Sequence, residues 1–293
     1  MVCNCVPCTC GGCLVRLPKI MCIDAMCLAC RAGSSKFNMG DYYVMFNFLR
    51  SFKALVEEIQ PTRVYVALEG HARKNFELLP EYKANRERGK DSFYEQVNVL
   101  FDLLKNYFPV NVVRHPDYEA DDTIANLALN SAEAIEWVIV STDTDFIQLI
   151  QQRKNLSVYD PIRKTNLIAP EYDYVTWKAL NGDASDNIPG FKGVGPKTAA
   201  QLTVSEELRE AFFNARSPED RVAFERNLKL VKFWRWSEEE AMKAESSLPK
   251  RDWDAVMVKF EEWAFASMLK PSYWDKFVKT FEPLWGSPLW QLD

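Results

Sequence analysis

Histidine is almost missing from this 293-residue chain, which holds only His71 and His115. With only these two, a histidine general base is not expected in the chemistry of the acidic clusters described below. Cysteine is missing after Cys30, although eight cysteines crowd the first 30 residues. Cys3, Cys5, Cys8, Cys10 and Cys13 have neither a histidine nor a distant Cys pair to complete a recognised zinc pattern. Soft-metal binding, for instance of Zn²⁺, and an unconstrained tail both remain open readings of that segment. Cys22, Cys27 and Cys30 read as ordinary buried thiols in and after a first strand. No apolar run approaches the roughly 20 residues needed to span a bilayer. A signal-peptide core is also missing, because Arg16, Pro18 and Lys19 interrupt the one moderately apolar N-terminal stretch. The expectation is a soluble, cytoplasmic protein. There is no internal repeat.

What is present begins with a hydrophobic content of 47%, enough for a well-filled core. The net charge of −5 and a pI near 5.4 speak, taken in bulk, against a sequence-independent nucleic-acid binder. Bulk charge conceals a basic stretch, however: Arg73, Lys74, Lys83, Arg86, Arg88 and Lys90 all fall between His71 and Lys90.

The acids are not scattered either. Apolar runs lead into Asp24 (from Lys19), into Glu69 (from Val64), and into Ser141-Thr142-Asp143-Thr144-Asp145 (from Trp137). Tyr118-Glu119-Ala120-Asp121-Asp122 opens a predicted helix, where the helix dipole tolerates negative charge. An acidic first turn is common, so that cluster alone is weak evidence. In an open α/β sheet, though, acids just after several parallel strands converge on one crevice. Asp143 and Asp145, read as an extended segment, are expected to point the same way. Two like charges about 5 Å apart at an effective dielectric near 20 repel by roughly 3 kcal/mol. A cluster of this size therefore calls for cations, and hard oxygen-seeking ions such as Mg²⁺ or Mn²⁺ fit it.

Hydrophobic periodicity predicts strands near 19–24, 63–68, 110–114 and 137–141, alternating with helices near 41–59, 91–107 and 119–132. That alternation implies a parallel α/β sheet with flanking helices. The pattern breaks between Gly70 and Asp91. From about Tyr172 the reading turns helical, strand signals fade, and Trp253, Trp263, Trp274, Trp285 and Trp290 read as packing surface of a C-terminal helical region. Within that region Gly190-Phe191-Lys192-Gly193-Val194-Gly195-Pro196-Lys197-Thr198 resembles a helix-hairpin-helix loop, whose free amides meet sugar-phosphate without reading sequence.

These residues together resemble the family of 5′ nucleases: bacteriophage 5′ to 3′ exonucleases, the amino-terminal nuclease domain of bacterial DNA polymerase I, and flap endonucleases. The resemblance runs from about Lys19 to about Val231. It rests on Ile23-Asp24-Ala25 with Cys30-Arg31-Ala32, and on Leu79-Pro80-Glu81-Tyr82-Lys83-Ala84-Asn85-Arg86 at the base of a helical arch. Tyr118 to Asp122, Ser141 to Asp145, and Leu180-Asn181-Gly182-Asp183-Ala184-Ser185-Asp186-Asn187-Ile188-Pro189-Gly190 complete it. With no polymerase region following, a standalone phage-type enzyme is the nearest likeness, in which case the compartment is the host cytosol.

The resemblance implies a PIN-like catalytic domain over 19–175 with a helical arch near 71–107, preceded by the Cys-rich extension 1–18. A helix-hairpin-helix (H3TH-type) and C-terminal helical region would fill 176–293. It further implies two divalent ions. Asp24, Glu69, Glu119, Asp121, Asp122, Asp143 and Asp145 would hold the first, and Asp183 and Asp186 would help with the second. Lys83, Arg73 and Arg31 would contact phosphates around the scissile bond, and Tyr82 and Arg86 would bind the DNA beside them. Gly193, Gly195, Lys197 and Thr198 would grip duplex DNA, with K⁺ at the loop. The implied activity is metal-dependent hydrolysis of DNA at 5′ ends or flaps by a monomer. RNA–DNA hybrids as substrate, and a non-catalytic flap or junction clamp, are the rival readings. The chain departs from the family pattern at Glu69, where Asp is usual, and in its Cys-rich start.

Overall fold

Five apolar runs become the parallel strands of one sheet: β1 (Lys19–Asp24), β2 (Arg63–Leu68), β3 (Asn111–Arg114), β4 (Glu136–Val140) and β5 (Leu156–Asp160). Two short antiparallel strands, β6 (Thr165–Asn166) and β7 (Glu245–Ser246), close its edges, giving the order β6-β5-β4-β1-β2-β3-β7. The computed structural model describes residues 18–34, 40–87 and 89–285. The cysteines from Cys3 to Cys13, Arg88 and Trp290 lie outside the described residues.

β1 is central because all of it but its first residue is buried, as a strand covered on both faces requires. It pairs with β2 through Met21 opposite Val64 and with β4 through Met21 opposite Val138. The sheet is therefore built outward from β1 in both directions, and the switch of direction leaves a crevice at the carboxyl ends of β1, β2 and β4. The acids follow those ends.

The helices, in chain order, are α1 (Ala25–Gly33), α2 (Tyr43–Ile59), α3 (Arg73–Leu78), α4 (Asp91–Tyr107), α5 (Ala120–Asn130), α6 (Ile147–Gln152) and α7 (Tyr174–Asn181). They continue with α8 (Pro196–Val204), α9 (Glu206–Asn214), α10 (Pro218–Val231), α11 (Glu238–Ala241), α12 (Trp253–Glu262) and α13 (Pro271–Phe281). α2 carries Val44, Phe48, Phe52, Leu55 and Val56 at helical spacing, and this stripe packs with α1, α4, α12 and α13 on one face of the sheet. Each such side chain contributes roughly 1.5–3 kcal/mol when fully buried. α5 and α6 cover the other face around Trp137, Ile124 and Phe146. α7 to α10 surround a separate small core of Phe191, Phe213 and Phe224.

The short helices α1, α3 and α6 and the strands β5, β6 and β7 are additions to the sequence reading. β6 and β7 escape it because each is only two residues long, and β5 because its apolar residues Leu156, Val158 and Tyr159 form no continuous run. The C-terminal residues are not helical packing alone: β7 pairs with β3, and α13 packs on α2 with Phe281 5.0 Å from Phe52, ring centre to ring centre. Strand order thus draws the end of the chain back onto the first core. Trp263 is buried there, Trp253 and Trp274 partly so, whereas Trp285 is exposed. Among the described residues no helix is long and apolar enough to cross a membrane.

Candidate active site

Asp24 ends β1 and caps α1, accepting the Cys27 amide at 2.9 Å on one oxygen and the Ser141 hydroxyl at 3.0 Å on the other. Ser141 follows β4, so this one hydrogen bond ties together the ends of two adjacent strands. Glu69 follows β2 and accepts the amide of Ala120, the first residue of α5, at 3.0 Å. Asp143 accepts the Asp145 amide at 2.8 Å. With Asp121 of α5, these three acids line one cleft of about 820 Å³ whose wall also carries Arg31, Lys83, Arg86 and Lys178.

Glu119, Asp122, Asp145 and Asp186 lie around a second space beneath that cleft, only about 20 Å³ in volume and reached also by Asp121. It has room for about one water. Here the side chains are tightly partnered. Glu119 accepts from Asn75 at 3.0 Å and from the Tyr82 hydroxyl at 2.9 Å, and it pairs with Lys83. The same Tyr82 hydroxyl, with one proton to share between the two carboxylates, lies 3.0 Å from Asp186, and Lys83 lies 3.9 Å from that carboxylate. Asp122 accepts the backbone amide of Trp234 at 2.8 Å.

The expectation that Asp143 and Asp145 point the same way is not met. The backbone after Asp143 turns into a short 3₁₀ helix, Thr144–Phe146, instead of continuing extended. Asp143 consequently faces the open cleft, while Asp145 turns to Lys178 and the inner space. A local hydrogen bond from the Asp145 amide to the Asp143 carboxylate favours this turn over a strand.

Asp183 and Asp186 sit on the loop between α7 and the hairpin. Gly182 (φ 79°) and Gly190 pinch its base together: a Cβ on Gly190 would lie 2.2 Å from the Asn181 carbonyl oxygen. Asp183 accepts Lys178 at 2.7 Å and the Ser185 amide at 2.8 Å. Asp145, Asp183 and Asp186 bring one oxygen each to within 4.8 Å of one another.

Burial raises the carboxyl pKa of Asp24, with Asp143 adding to the effect. Burial, together with the charges of Glu119 and Asp24, brings Glu69 up to about 7. Burial likewise lifts Asp121 well above the carboxylate range, with Asp143, Asp24 and Glu69 adding to it. Asp122 and Asp145 rise to about 7, both chiefly through burial, although Lys178 opposes the rise at Asp145. At Asp183 burial is outweighed by Lys178 and Ser185, and the pKa falls. For Lys83 and Lys178 burial is outweighed by flanking carboxylates, and both ammonium groups are held protonated. Oxygen-only donors, crowded and destabilised as anions, are the chemistry that hard divalent cations satisfy, so the donor set fits Mg²⁺ or Mn²⁺.

Among the basic residues singled out from sequence, Arg31, Lys83 and Arg86 line the cleft. Arg73 does not: its side chain is exposed and pairs with Asp117 at 3.5 Å, because α3 turns it outward. At the hairpin, Gly193 takes φ 81° and Gly195 caps α8, with Pro196 at its first turn. Lys197 is exposed and Thr198 half-buried. The surroundings of Gly193 and Gly195 are open, as close approach of a phosphate backbone requires. The thiols are not uniformly buried: Cys22 is, Cys27 contacts Thr142 at 3.2 Å on the cleft wall, and Cys30 is exposed. Sequence reasoning missed Lys178, Asn75 and Trp234. Only Lys178 left a signal there, as the last-turn cation of a helix ending just before Asp183.

Residues 19–178 match the family described as 5′-3′ exonuclease, N-terminal resolvase-like domain. The 5′-3′ exonuclease of Aquifex aeolicus is 28% identical over 251 residues, covering 77% of this chain and 83% of that one. DNA polymerase I of Treponema pallidum is 33% identical over 171 residues, covering 54% of this chain and 17% of the polymerase. The chain therefore spans less than a fifth of that relative's length. Among solved structures, the bacteriophage T5 D15 protein co-crystallised with metal ions covers 91% of this chain and 99% of its own, at 20% identity and a TM-score of 0.58. The catalytic core of Rad2 in complex with DNA substrate covers 92% and 94%, at 13% identity and a TM-score of 0.52. At these identities the two structures show a shared fold. The family match, by contrast, takes in more than half of the sequence, and the chain belongs to the 5′-3′ exonuclease family with an N-terminal resolvase-like domain.

Proposed function

We propose that this protein is a divalent-metal-dependent 5′ nuclease that hydrolyses DNA phosphodiesters at 5′ ends or flaps. The observation that carries this reading is the single cleft in which Asp24, Glu69, Asp121 and Asp143 face Arg31, Lys83 and Arg86. Acids alone would repel a phosphodiester and bases alone would only bind it. Both around one cavity suit binding and cleavage.

Asp24, Glu69, Asp121 and Asp143 would hold one ion, with Glu119 and Asp122 reaching it through water from the inner space they share with Asp121, and Asp145, Asp183 and Asp186 would hold a second, either Mg²⁺ or Mn²⁺. When bound, such ions activate water and neutralise charge on the reacting phosphoryl group. The protein's own groups do the rest. Asp24 has both oxygens fixed by donors, so its carboxylate cannot rotate away from the cleft. Lys83 lines the cleft while Glu119 and Asp186 hold its ammonium group from the inner side, so that it is fixed where it stabilises charge developing on the phosphate. Arg31 and Arg86 orient neighbouring phosphates. The start of α8 offers free amides to the duplex backbone, which makes binding indifferent to sequence. DNA at the hairpin and DNA in the cleft would then be one continuous substrate, bound by one copy of the chain.

The test is cleavage of a labelled 5′-flap DNA, a blunt duplex and an RNA–DNA hybrid in Mg²⁺ or EDTA. Metal-dependent release of 5′ products by wild type, lost in Asp143→Asn while duplex affinity stays within about tenfold, is the expected result. Binding without cleavage in both Mg²⁺ and Mn²⁺ would refute the nuclease reading. The hybrid arm ranks RNA against DNA.

A further inference from the structure

The segment that leaves α10 does not simply connect it to α11. It passes over the base of α3 and the start of α5, and Trp234 is fixed there from several sides. Its backbone amide donates to Asp122 at 2.8 Å, and its carbonyl accepts from Asn126 at 2.7 Å. Its indole Nε1 donates to the Asn75 carbonyl oxygen at 2.8 Å. Lys74 lies over the indole at 5.0 Å and over the Tyr118 ring at 4.9 Å, and pairs with Glu240 at 2.8 Å. Two residues on, the Trp236 amide donates to Asn126 at 3.0 Å.

Asn75 completes a chain to the acids. It is 5% exposed, and its amide nitrogen donates to Glu119 at 3.0 Å. The indole can only donate, so it selects which end of the Asn75 amide faces it and leaves the NH₂ end for the carboxylate. Glu119 then receives Asn75 and Tyr82 on one oxygen and Lys83 on the other. We propose that Trp234 is a positioning residue for the metal-binding carboxylates: through its indole and Asn75 it orients Glu119, and through its backbone it orients Asp122.

The inference rests on the reading of the acids as metal ligands and extends it to what holds them. Groups that donate to metal-ligating carboxylates typically govern metal affinity by about 10–100-fold. The same segment also links two parts of the substrate site. α10 carries fully buried Asn227, which donates to Ala179 of α7 and to Pro189 of the hairpin. Trp234, three residues after that helix ends, therefore joins the hairpin scaffold to the acids of α5.

The experiment is a titration of Mn²⁺ with full-length wild type, Trp234→Phe, Asn75→Ala and the double variant, free Mn²⁺ being read by electron paramagnetic resonance. Trp234→Phe keeps an aromatic ring under Lys74 and the backbone bond to Asp122, so it isolates the indole donor. Asn75→Ala breaks the same chain from the other side, and reads the effect if the tryptophan variant does not fold. Each single variant is expected to weaken Mn²⁺ binding about tenfold, with the double no weaker than the worse single. Affinity for a 5′-flap duplex in EDTA is expected to stay at the wild-type value, which general loosening of the site would not allow. Unchanged Mn²⁺ affinity in both singles, or losses that multiply in the double, would overturn the inference. Absence of Mn²⁺ binding by wild type would instead refute the metal reading on which it rests.

Discussion

Lys178 stands between Asp145 and Asp183, 2.7 Å from the Asp183 carboxylate and in contact with that of Asp145. Its side chain is 9% exposed, so its charge is screened very little by water. A protein cation thus lies among the three carboxylates whose oxygens come within 4.8 Å of one another. Removing it leaves two buried acids facing each other without compensation. Lys178→Ala is expected to destabilise the protein in EDTA by about 3 kcal/mol, as read from urea unfolding. Mg²⁺ should restore more stability to the variant than to wild type, because the cation replaces the lost charge. Equal stabilisation of both by Mg²⁺ would contradict this account.

Stability without metal should fall as pH rises. Glu69, Asp122 and Asp145 titrate near 7 in the folded protein, above their ordinary values of 4.5, 3.8 and 3.8. Between those limits the folded state binds more protons than the unfolded one, so unfolding free energy decreases with pH across about 4.5 to 7. Glu240 has the opposite sign, being held down to about 2 by Lys74 and Tyr118, but its contribution changes only below its ordinary 4.5. In EDTA the melting temperature is therefore expected to drop from pH 5.5 to pH 8. Mg²⁺ should raise it more at pH 8, where the acids are ionised. A metal-free melting temperature that climbs over this range would refute the destabilised cluster.

The loop that carries Asp183 and Asp186 depends on Gly190. A methyl group there would meet the Asn181 carbonyl oxygen at 2.2 Å and the Gly182 nitrogen at 3.2 Å, and both are backbone atoms that cannot rotate aside. The bridge between Asp183 and Ile188, with amide-to-carbonyl distances of 2.9 and 2.8 Å, would have to open. Gly190→Ala is expected to cost on the order of 2 kcal/mol in thermal unfolding. It should weaken turnover more than Gly193→Ala, which strains φ but meets nothing within 4 Å. Equal turnover in the two variants would contradict the reading of Gly190 as the pinch of this loop.

How far such features can be read from sequence depends on the range over which they form. The acids after β1, β2 and β4 were legible because a strand's end and the residue after it are local, and a parallel sheet brings such ends together whatever the details. β5 is as long as β4 but carries only Leu156, Val158 and Tyr159 as apolar residues, between Asn155 and Pro161, so no apolar run marks it. The return of α13 to α2 was illegible for a different reason: Phe277 and Phe281 read as any amphipathic face, and their partner Phe52 lies more than two hundred residues earlier. Asp145 shows the limit within a motif. Alternation predicts where its side chain points only while the backbone stays extended, and the hydrogen bond of Asp143 to its amide ends that condition. Asn75 and Trp234 carry no chemical signature of a site at all. Their part in it arises from a contact across 159 positions.

Lys197 offers a test of duplex binding apart from catalysis. It is exposed on α8, directly after the Gly195 cap and Pro196, and no carboxylate pairs with it among the described residues. A lysine so placed adds charge next to the free amides of the helix start, where a phosphate is favoured. Lys197→Ala should weaken binding of duplexes of different sequence by the same factor. The slope of log affinity against log salt should flatten by about 0.9, the value for one phosphate contact on duplex DNA. Fluorescence anisotropy at several salt concentrations, in EDTA so that no cleavage intervenes, provides the measurement. A loss confined to some sequences would contradict the hairpin reading, since backbone contacts carry no base information. An unchanged slope would place the DNA elsewhere on the protein.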